Sequence, residues 1–504
     1  MNPSDKRTLI VLAAALLLLL AIAVPTGVGI ATSSERVFGP YTDHLFLLLN
    51  TGIIACAVWA TVLVVRDLKR RRRLATAIVF VVYLVVVVVV GFDGVLELFP
   101  RLIPPRVLAN LPFGGGYFYS QGTATHELRS DLGIKPRPHV NVEVFYVNDL
   151  VRYGQISPVY DYPTTHILFA TDSQGFRNSD EATTADVVVL GDSFTELPYM
   201  RIEDVWPSLL AQRTGWKVRN LAVSGYGPMQ QAVVLQKWGL AYRPRLVVLG
   251  FYEGNDILDC ADFDAFRRSG LPYFKWVVRR FSKPSDWFKR RPVVAILQML
   301  LLPYERIAER WSGENSRTRA MRRSYFNPVE VESGGERRKI GLLSLNLMLL
   351  SADADKVRSQ PGWPLCQDAL REMKETCEKA GATFVLVYIP TKEHVYLPLL
   401  RNQFTPEAVH DFVAAYHTEA KAMGPDEFEA ALYANMDATE RVVEDFCRTQ
   451  QIAFCDLTAP FRQAARQGQL IYFAFDSHWN AVGNQIAADT IERFLRDLNA
   501  GGSR

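Results

Sequence analysis

The chain has 504 residues, room for two or three domains and a large core. A formal net charge of +3 does not mark a nucleic-acid binder, and six cysteines without CxxC spacing or a Cys/His cluster imply no zinc site. Apolar residues make up 49%, and the excess is concentrated near the start.

Three uncharged stretches open the chain: residues 8–30 (TLIVLAAALLLLLAIAVPTGVGI), 45–65 (LFLLLNTGIIACAVWATVLVV) and 75–92 (ATAIVFVVYLVVVVVVGF). Each is about the length of a membrane-spanning helix. Because two spans follow the first, it reads as a retained helix rather than a cleaved signal peptide. Lys6 and Arg7 precede the first span, and Arg66, Lys69, Arg70, Arg71, Arg72 and Arg73 separate the second and third. The loop between the first two holds one basic residue, Arg36. Basic flanks stay in the cytoplasm, so an odd number of crossings sends everything after residue 92 outside. Five cysteines then lie outside, an odd number, which leaves at least one free thiol or an intermolecular bond. Cys366 and Cys377 share a predicted helix three turns apart, too far for a mutual disulfide.

Residues 94–113 form a Pro-punctuated exit, and 114–116 (GGG) mark a loop. Residues 140–177 alternate short apolar pairs with turn residues, a small β element. Three divisions follow: an anchor at 1–93, a linker with β element at 94–183, and a main domain at 184–504.

In the main domain strands and helices alternate. Strands are predicted over 186–190, 217–223, 245–252, 382–390 and 452–457, and helices over 203–214, 228–242, 365–380, 440–450 and 480–498. Continuous apolar strands alternating with helices imply an α/β fold, a parallel sheet covered on both faces. An insertion at about 258–350 interrupts it. Within it, residues 266–291 carry nine basic residues against one acid, Asp286, with Trp276, Trp287 and Phe288 interleaved. Two readings stand for this segment: a solvated basic loop, or a surface resting on anionic lipid headgroups. The apolar run at 292–303 is too short to span a bilayer. An outward-facing domain argues against a nucleic-acid partner.

Function in a parallel sheet gathers at the carboxyl ends of the strands. Gly191-Asp192-Ser193 follows the first strand and Ser224-Gly225 the second. Glu253-Gly254-Asn255-Asp256 follows the third and Thr391-Lys392-Glu393 the fourth. Asp476-Ser477-His478-Trp479-Asn480 precedes the last helix. Acyl transfer needs a nucleophile, a base, a group that orients the base, and donors for an oxyanion. Ser193, His478 and Asp476 supply the first three. The Ser193 amide, the Gly225 amide and the Asn255 side chain supply the donors. Lys392 and Glu393 have two readings, residues that line the substrate cleft or an ordinary surface pair, of which the second is preferred. His44, His126, His139, His166, His394, His410 and His417 show no metal spacing and read as incidental.

These motifs resemble the SGNH family of GDSL-type hydrolases and acyltransferases over roughly residues 186–498, minus the insertion. The resemblance rests on GDS, N-x-x-x-S-G at 220–225, GND at 254–256 and the C-terminal Asp/His pair. It implies a flavodoxin-like three-layer sandwich preceded here by the three transmembrane helices. It implies Ser193 as nucleophile, His478 as base, Asp476 as its orienter, and Ser193, Gly225 and Asn255 as the oxyanion hole. Asp192 and Asp256 become loop supports, and neither metal nor cofactor is implied. Where the family commonly has D-x-x-H, this chain has D-S-H-W, a D-x-H-W pairing found in the subgroup resembling alginate O-acetylation proteins. The expected protein is a membrane-anchored, extracytoplasmic esterase or O-acyltransferase acting on O-acyl groups of envelope carbohydrate. Membrane lipid and a separate multi-span acyltransferase are its expected further partners. The competing expectation is an inactive carbohydrate-binding or scaffold protein on the same fold.

Overall fold

The computed structural model describes residues 126–145, 166–198, 200–271, 273, 276, 329–333, 335–401, 403–474 and 476–501. The predicted anchor, the exit after it, and most of the basic segment and apolar run of the insertion lie outside these residues. No helix among the described residues is long and apolar enough to cross a membrane. Residues 128–271 and 316–504 form one compact unit.

That unit is built on five parallel strands: β1 (Val187–Leu190), β2 (Val218–Asn220), β3 (Leu246–Tyr252), β4 (Thr383–Ile389) and β5 (Ala453–Asp456). Their order across the sheet is β2-β1-β3-β4-β5. Val187 sits opposite Val218 on one side and Leu246 on the other, and Val385 pairs with both Val248 and Ala453. Every residue of β1 and β3 is buried, because helices cover both faces. This is the doubly wound order with a switch point between β1 and β3, where a crevice opens at the carboxyl ends.

Each helix predicted for the main domain is present. Around the sheet run α1 (Ser193–Glu196), α2 (Trp206–Thr214), α3 (Pro228–Lys237), α4 (Asp256–Ser269), α5 (Gly362–Lys379), α6 (Lys392–Tyr396), α7 (Ala438–Thr449), α8 (Thr458–Arg466) and α9 (Ala481–Gly501). α2 packs on α9, and α3, α4 and α5 pack on one another. Val187 and Val189 join Trp206, Leu210, Ile491 and Leu495 in one apolar cluster. Val188 points the opposite way, towards Gly239 and Leu235.

Two things differ from the sequence reading, the insertion and the interval between α6 and α7, whereas the small β element is present. The predicted insertion opens as helix α4 and closes with an antiparallel hairpin, Val329–Ser333 with Glu336–Ile340, followed by a helix at Ser344–Leu350. Val329, Val331, Ile340 and Leu347 pack into the main core, so this end of the insertion is a structural part of the domain. A second group of helices, with Pro406–Ala414 and Pro425–Asn435 the longest, fills the interval between α6 and α7. In the β element, Asn141–Phe145 pairs antiparallel with His166–Ala170. Cys260, Cys366, Cys377, Cys447 and Cys455 are free and buried, and Cys366 and Cys377 do share helix α5.

Candidate active site

Adjacent strands deliver the central residues. β1 ends before Ser193, β2 before Gly225 and β3 before Asn255, and the sheet order β2-β1-β3 sets these three loops side by side. Gly191 makes the first turn possible: a Cβ there would lie 2.4 Å from Thr195 Oγ1. Ser193 is the first residue of α1, and Asp192 caps that helix by accepting from the Phe194 amide at 2.8 Å.

The Asp/His pair arrives from the far end of the chain. Ile471 to Asn480 forms a hairpin-like excursion, closed by Phe473 N–H to His478 O at 2.9 Å and Asn480 N–H to Ile471 O at 2.8 Å. Asn480 then caps α9, accepting from the Val482 and Gly483 amides. Asp476 and His478 sit at the tip. His478 Nε2 lies 2.7 Å from Ser193 Oγ, and His478 Nδ1 lies 2.6 Å from Asp476 Oδ1. The His478 side chain is 16% exposed and that of Asp476 9%, so the group is reachable but mostly dry.

Gly225 has φ +80°, a left-handed conformation natural to glycine. Among the described residues, neither the Gly225 nor the Ser193 amide donates to a protein acceptor, which leaves both available to a ligand oxygen. The Asn255 side chain favours the ionised form of the Asp192 carboxyl.

Carboxylates gather beneath this crevice. Burial pushes Asp192 up to about 6, against the pull of the Phe194 amide and His478. Asp256 and Asp259 are pushed well above the usual range by burial and then by the charge of Asp192. Asp256 accepts from the Tyr252 amide at 3.0 Å, closing the end of β3. Asp476 behaves in the opposite way. Burial raises it, but the charge of and hydrogen bonds from His478 outweigh burial and hold it below the usual carboxylate range.

Two sequence readings need correction. Lys392 and Glu393 are not a surface pair; both are fully buried in α6. Lys392 Nζ donates to backbone carbonyls of the excursion, and Glu393 accepts from Leu343 N–H at 2.6 Å and Asn346 Nδ2 at 2.7 Å. A long polar side chain after a strand looks the same in sequence whether it meets solvent or a neighbouring turn. His394 is not incidental either. It is buried, with Nδ1 2.9 Å from Glu253 Oε1 and Nε2 2.9 Å from Asp437 Oδ1. Burial opposes its charge, but these two carboxylates prevail and push it up to about 9. His394, Asp437 and Glu440 bring ligand-type atoms within 4.8 Å of one another. The Arg462 guanidinium sits on Asp437 Oδ1 at 2.8 Å, so the cluster is a balanced set of charges rather than a cation site.

One family-model match falls on the excursion and its surroundings. The family model for the SGNH hydrolase-like domain of the acetyltransferase AlgX matches residues 433–503, a span that holds Asp476 and His478. Over 122 residues the chain is 26% identical to a probable alginate O-acetylase AlgJ of Pseudomonas putida. Both matches are to SGNH-type or O-acetylase proteins, and the first makes residues 433–503 similar to an SGNH hydrolase-like domain. The match spans 24% of this chain and only 24% of that relative's length. Solved structures with a likeness include phospholipase A1 from Streptomyces albidoflavus, at 12% identity and TM-score 0.30, covering 62% of this chain and 96% of that one. An acetylxylan esterase from Geobacillus stearothermophilus, a catalytic mutant, has 12% identity and TM-score 0.29, with 62% and 95% covered. At TM-scores this low, the likeness to solved structures carries no argument.

The residues that support this site were not legible in the sequence. Phe194 stacks on Tyr252 with ring centroids 3.8 Å apart and lies 4.7 Å from the His478 ring, forming a floor under the imidazole. Arg177, buried, donates to the carbonyls of Glu196, Leu197 and Met200 and so holds the end of α1. Glu196, also buried, accepts from Ser224 N–H at 2.8 Å and from the Ser224 hydroxyl, which ties α1 to the Gly225 loop. Only the N-x-x-x-S-G motif carried a signal of this kind. Asn220 in it donates to Thr195 O at 3.1 Å and accepts from Ala222 N–H.

Proposed function

We propose that the protein is a membrane-anchored, extracytoplasmic serine esterase or O-acyltransferase. It acts on O-acyl groups, acetyl above all, of cell-envelope carbohydrate. The observation that carries this is the hydrogen-bonded chain Asp476–His478–Ser193, 2.6 and 2.7 Å long in its two links.

Ser193 Oγ attacks the acyl carbonyl as His478 Nε2 takes its proton. Asp476 holds the Nδ1–H and offsets the imidazolium charge that forms. The Ser193 and Gly225 amides and the Asn255 side chain stabilise the oxyanion. Collapse expels the carbohydrate alkoxide, which His478 protonates, and leaves an acyl-enzyme. Water or a second sugar hydroxyl then attacks the acyl carbon, giving up its proton to His478; the bond to Ser193 Oγ breaks, and His478 returns the proton to that oxygen. Asp192 and Asp256 brace the two loops that flank the nucleophile.

The carbohydrate substrate is supported by the likeness to an alginate O-acetylase and to the AlgX domain. The anchor and outward orientation are supported by the apolar stretches at residues 8–30, 45–65 and 75–92 and their basic flanks. A separate multi-span acyltransferase is the source of acyl groups this arrangement suits, with the basic segment at 266–291 resting on lipid. An inactive scaffold on this fold would have no need of so complete a hydrogen-bonded chain.

The test uses full-length protein in membranes and in detergent, with an aryl acetate as donor. Wild type should release acetate and take a fluorophosphonate label, and Ser193→Ala should lose both, a loss of several orders of magnitude in turnover. Equal slow hydrolysis by wild type and Ser193→Ala would remove the enzyme reading. Added glycan that gains acetyl groups identifies a transferase; acetate release that glycan does not redirect identifies an esterase.

A further inference from the structure

Helix α6 begins where β4 ends. Thr391 caps it, accepting from the His394 amide at 3.1 Å, and the Thr391 amide donates to Glu253 Oε2 at 2.8 Å. The start of α6 is thus fixed to the end of β3. The first helical residue is Lys392, with no exposed surface. Its Nζ lies 3.3 Å from Phe473 O, 3.2 Å from Ala474 O and 2.9 Å from Asp476 O. An ammonium has three N–H donors and no acceptor, so three carbonyls match its capacity. All three belong to the excursion that carries Asp476 and His478 at its tip.

A buried ammonium is expensive unless it is hydrogen-bonded and faces negative charge. A structural clamp could be made with a neutral donor. The charge here acts on two carboxylates, Asp476 and Glu393, and favours the ionised form of each. Other ionisable groups around Lys392, Asp476 and Glu393 include His478, Asp192 at the start of α1, Glu253 after β3, His394 in α6, Tyr252 on β3 and Tyr472 in the excursion. They are common to wild type and Lys392 variants, so a changed pH profile reports Lys392.

We propose that Lys392 is a positioning residue for the reaction: its ammonium fixes the turn that presents Asp476 and His478, and its charge sets the pH range in which that pair works. This rests on the acyl-enzyme reading above. Removing a cation favours the more positive, protonated form of the Asp476–His478 pair. Activity is then lost to protonation at a higher pH than in wild type.

The experiment compares full-length wild type, Lys392→Met, Lys392→Gln and Lys392→Arg in aryl acetate hydrolysis from about pH 5 to 9, with melting temperatures recorded. Lys392→Met should lower kcat by about 10- to 100-fold with KM within about twofold, since the defect lies in orientation rather than binding. Its acidic limb should move up by about half a pH unit or more. Lys392→Arg should return the limb to its wild-type position, whatever kcat it recovers. Lys392→Gln keeps a donor for the carbonyls but no charge, and it carries the test if Lys392→Met does not fold; its limb should move as well. A folded neutral variant with the wild-type limb, or with kcat within about twofold, overturns the inference and leaves the acyl-enzyme reading intact. A wild type without Ser193-dependent turnover overturns both.

Discussion

His478 meets Asp476 twice through one oxygen. Its backbone N–H lies 2.9 Å from Asp476 Oδ1, and its ring Nδ1 lies 2.6 Å from the same atom. The short D-x-H spacing thereby becomes a tight turn in which the carboxylate both folds the backbone and orients the imidazole. Asp476→Asn would present an amide to the Nδ1 side and favour the wrong tautomer. It should lower kcat by about two to four orders of magnitude and leave KM nearly unchanged, as measured by aryl acetate kinetics.

Gly225→Ala addresses the oxyanion loop. At φ +80° an alanine is strained, and relief of the strain would turn the amide away. Turnover should fall by about 10²-fold, the typical effect of losing one oxyanion donor, with little change in melting temperature. Unchanged kcat in a folded variant would remove Gly225 from the proposed hole.

Asp192 caps α1, and asparagine caps almost as well as aspartate. Burial already pushes its carboxyl up to about 6, so the charge is held at a cost near neutral pH. Asp192→Asn should therefore keep turnover within a few-fold and leave stability near wild type, whereas Asp192→Ala should destabilise by about 1 kcal/mol. If Asp192→Asn proved as inactive as a His478 variant, Asp192 would be taking part in the chemistry.

His394 gives the domain a pH-dependent stability. Its folded value near 9 stands above the ordinary 6.5, because Glu253 and Asp437 favour the charged ring over the opposing effect of burial. The contribution is complete below about 6.5 and is lost as pH rises through about 9, where the folded protein also gives up the proton. Its size is on the order of 3 kcal/mol. Thermal melts of wild type should fall over that window, and His394→Gln should start lower and vary less across it.

The strands β1, β3 and β4 were legible because each is an apolar run, as a doubly covered parallel sheet requires; the helices at Pro406–Ala414 and Pro425–Asn435 were not. Ser193, Gly225 and Asn255 were legible because each stands just past a predicted strand, where chemistry collects, and Asp476 and His478 because an Asp/His pair precedes the last helix. Their juxtaposition was not, since the strand order β2-β1-β3-β4-β5 is a tertiary fact. The sequence placed Ser193 and His478 in one list; the switch point and the excursion brought them to 2.7 Å.

The sequence by itself determined where strands end, and therefore which polar residues are candidates, because burial patterning is local. It could not separate Lys392, Glu393 and His394 from ordinary surface charge, since their partners lie on Asp476, Asn346, Glu253 and Asp437, distant in the chain. Nor could it assign Phe194 and Arg177 to the support of α1. A charged side chain owes its role to the atoms it faces, and only the folded chain decides which those are.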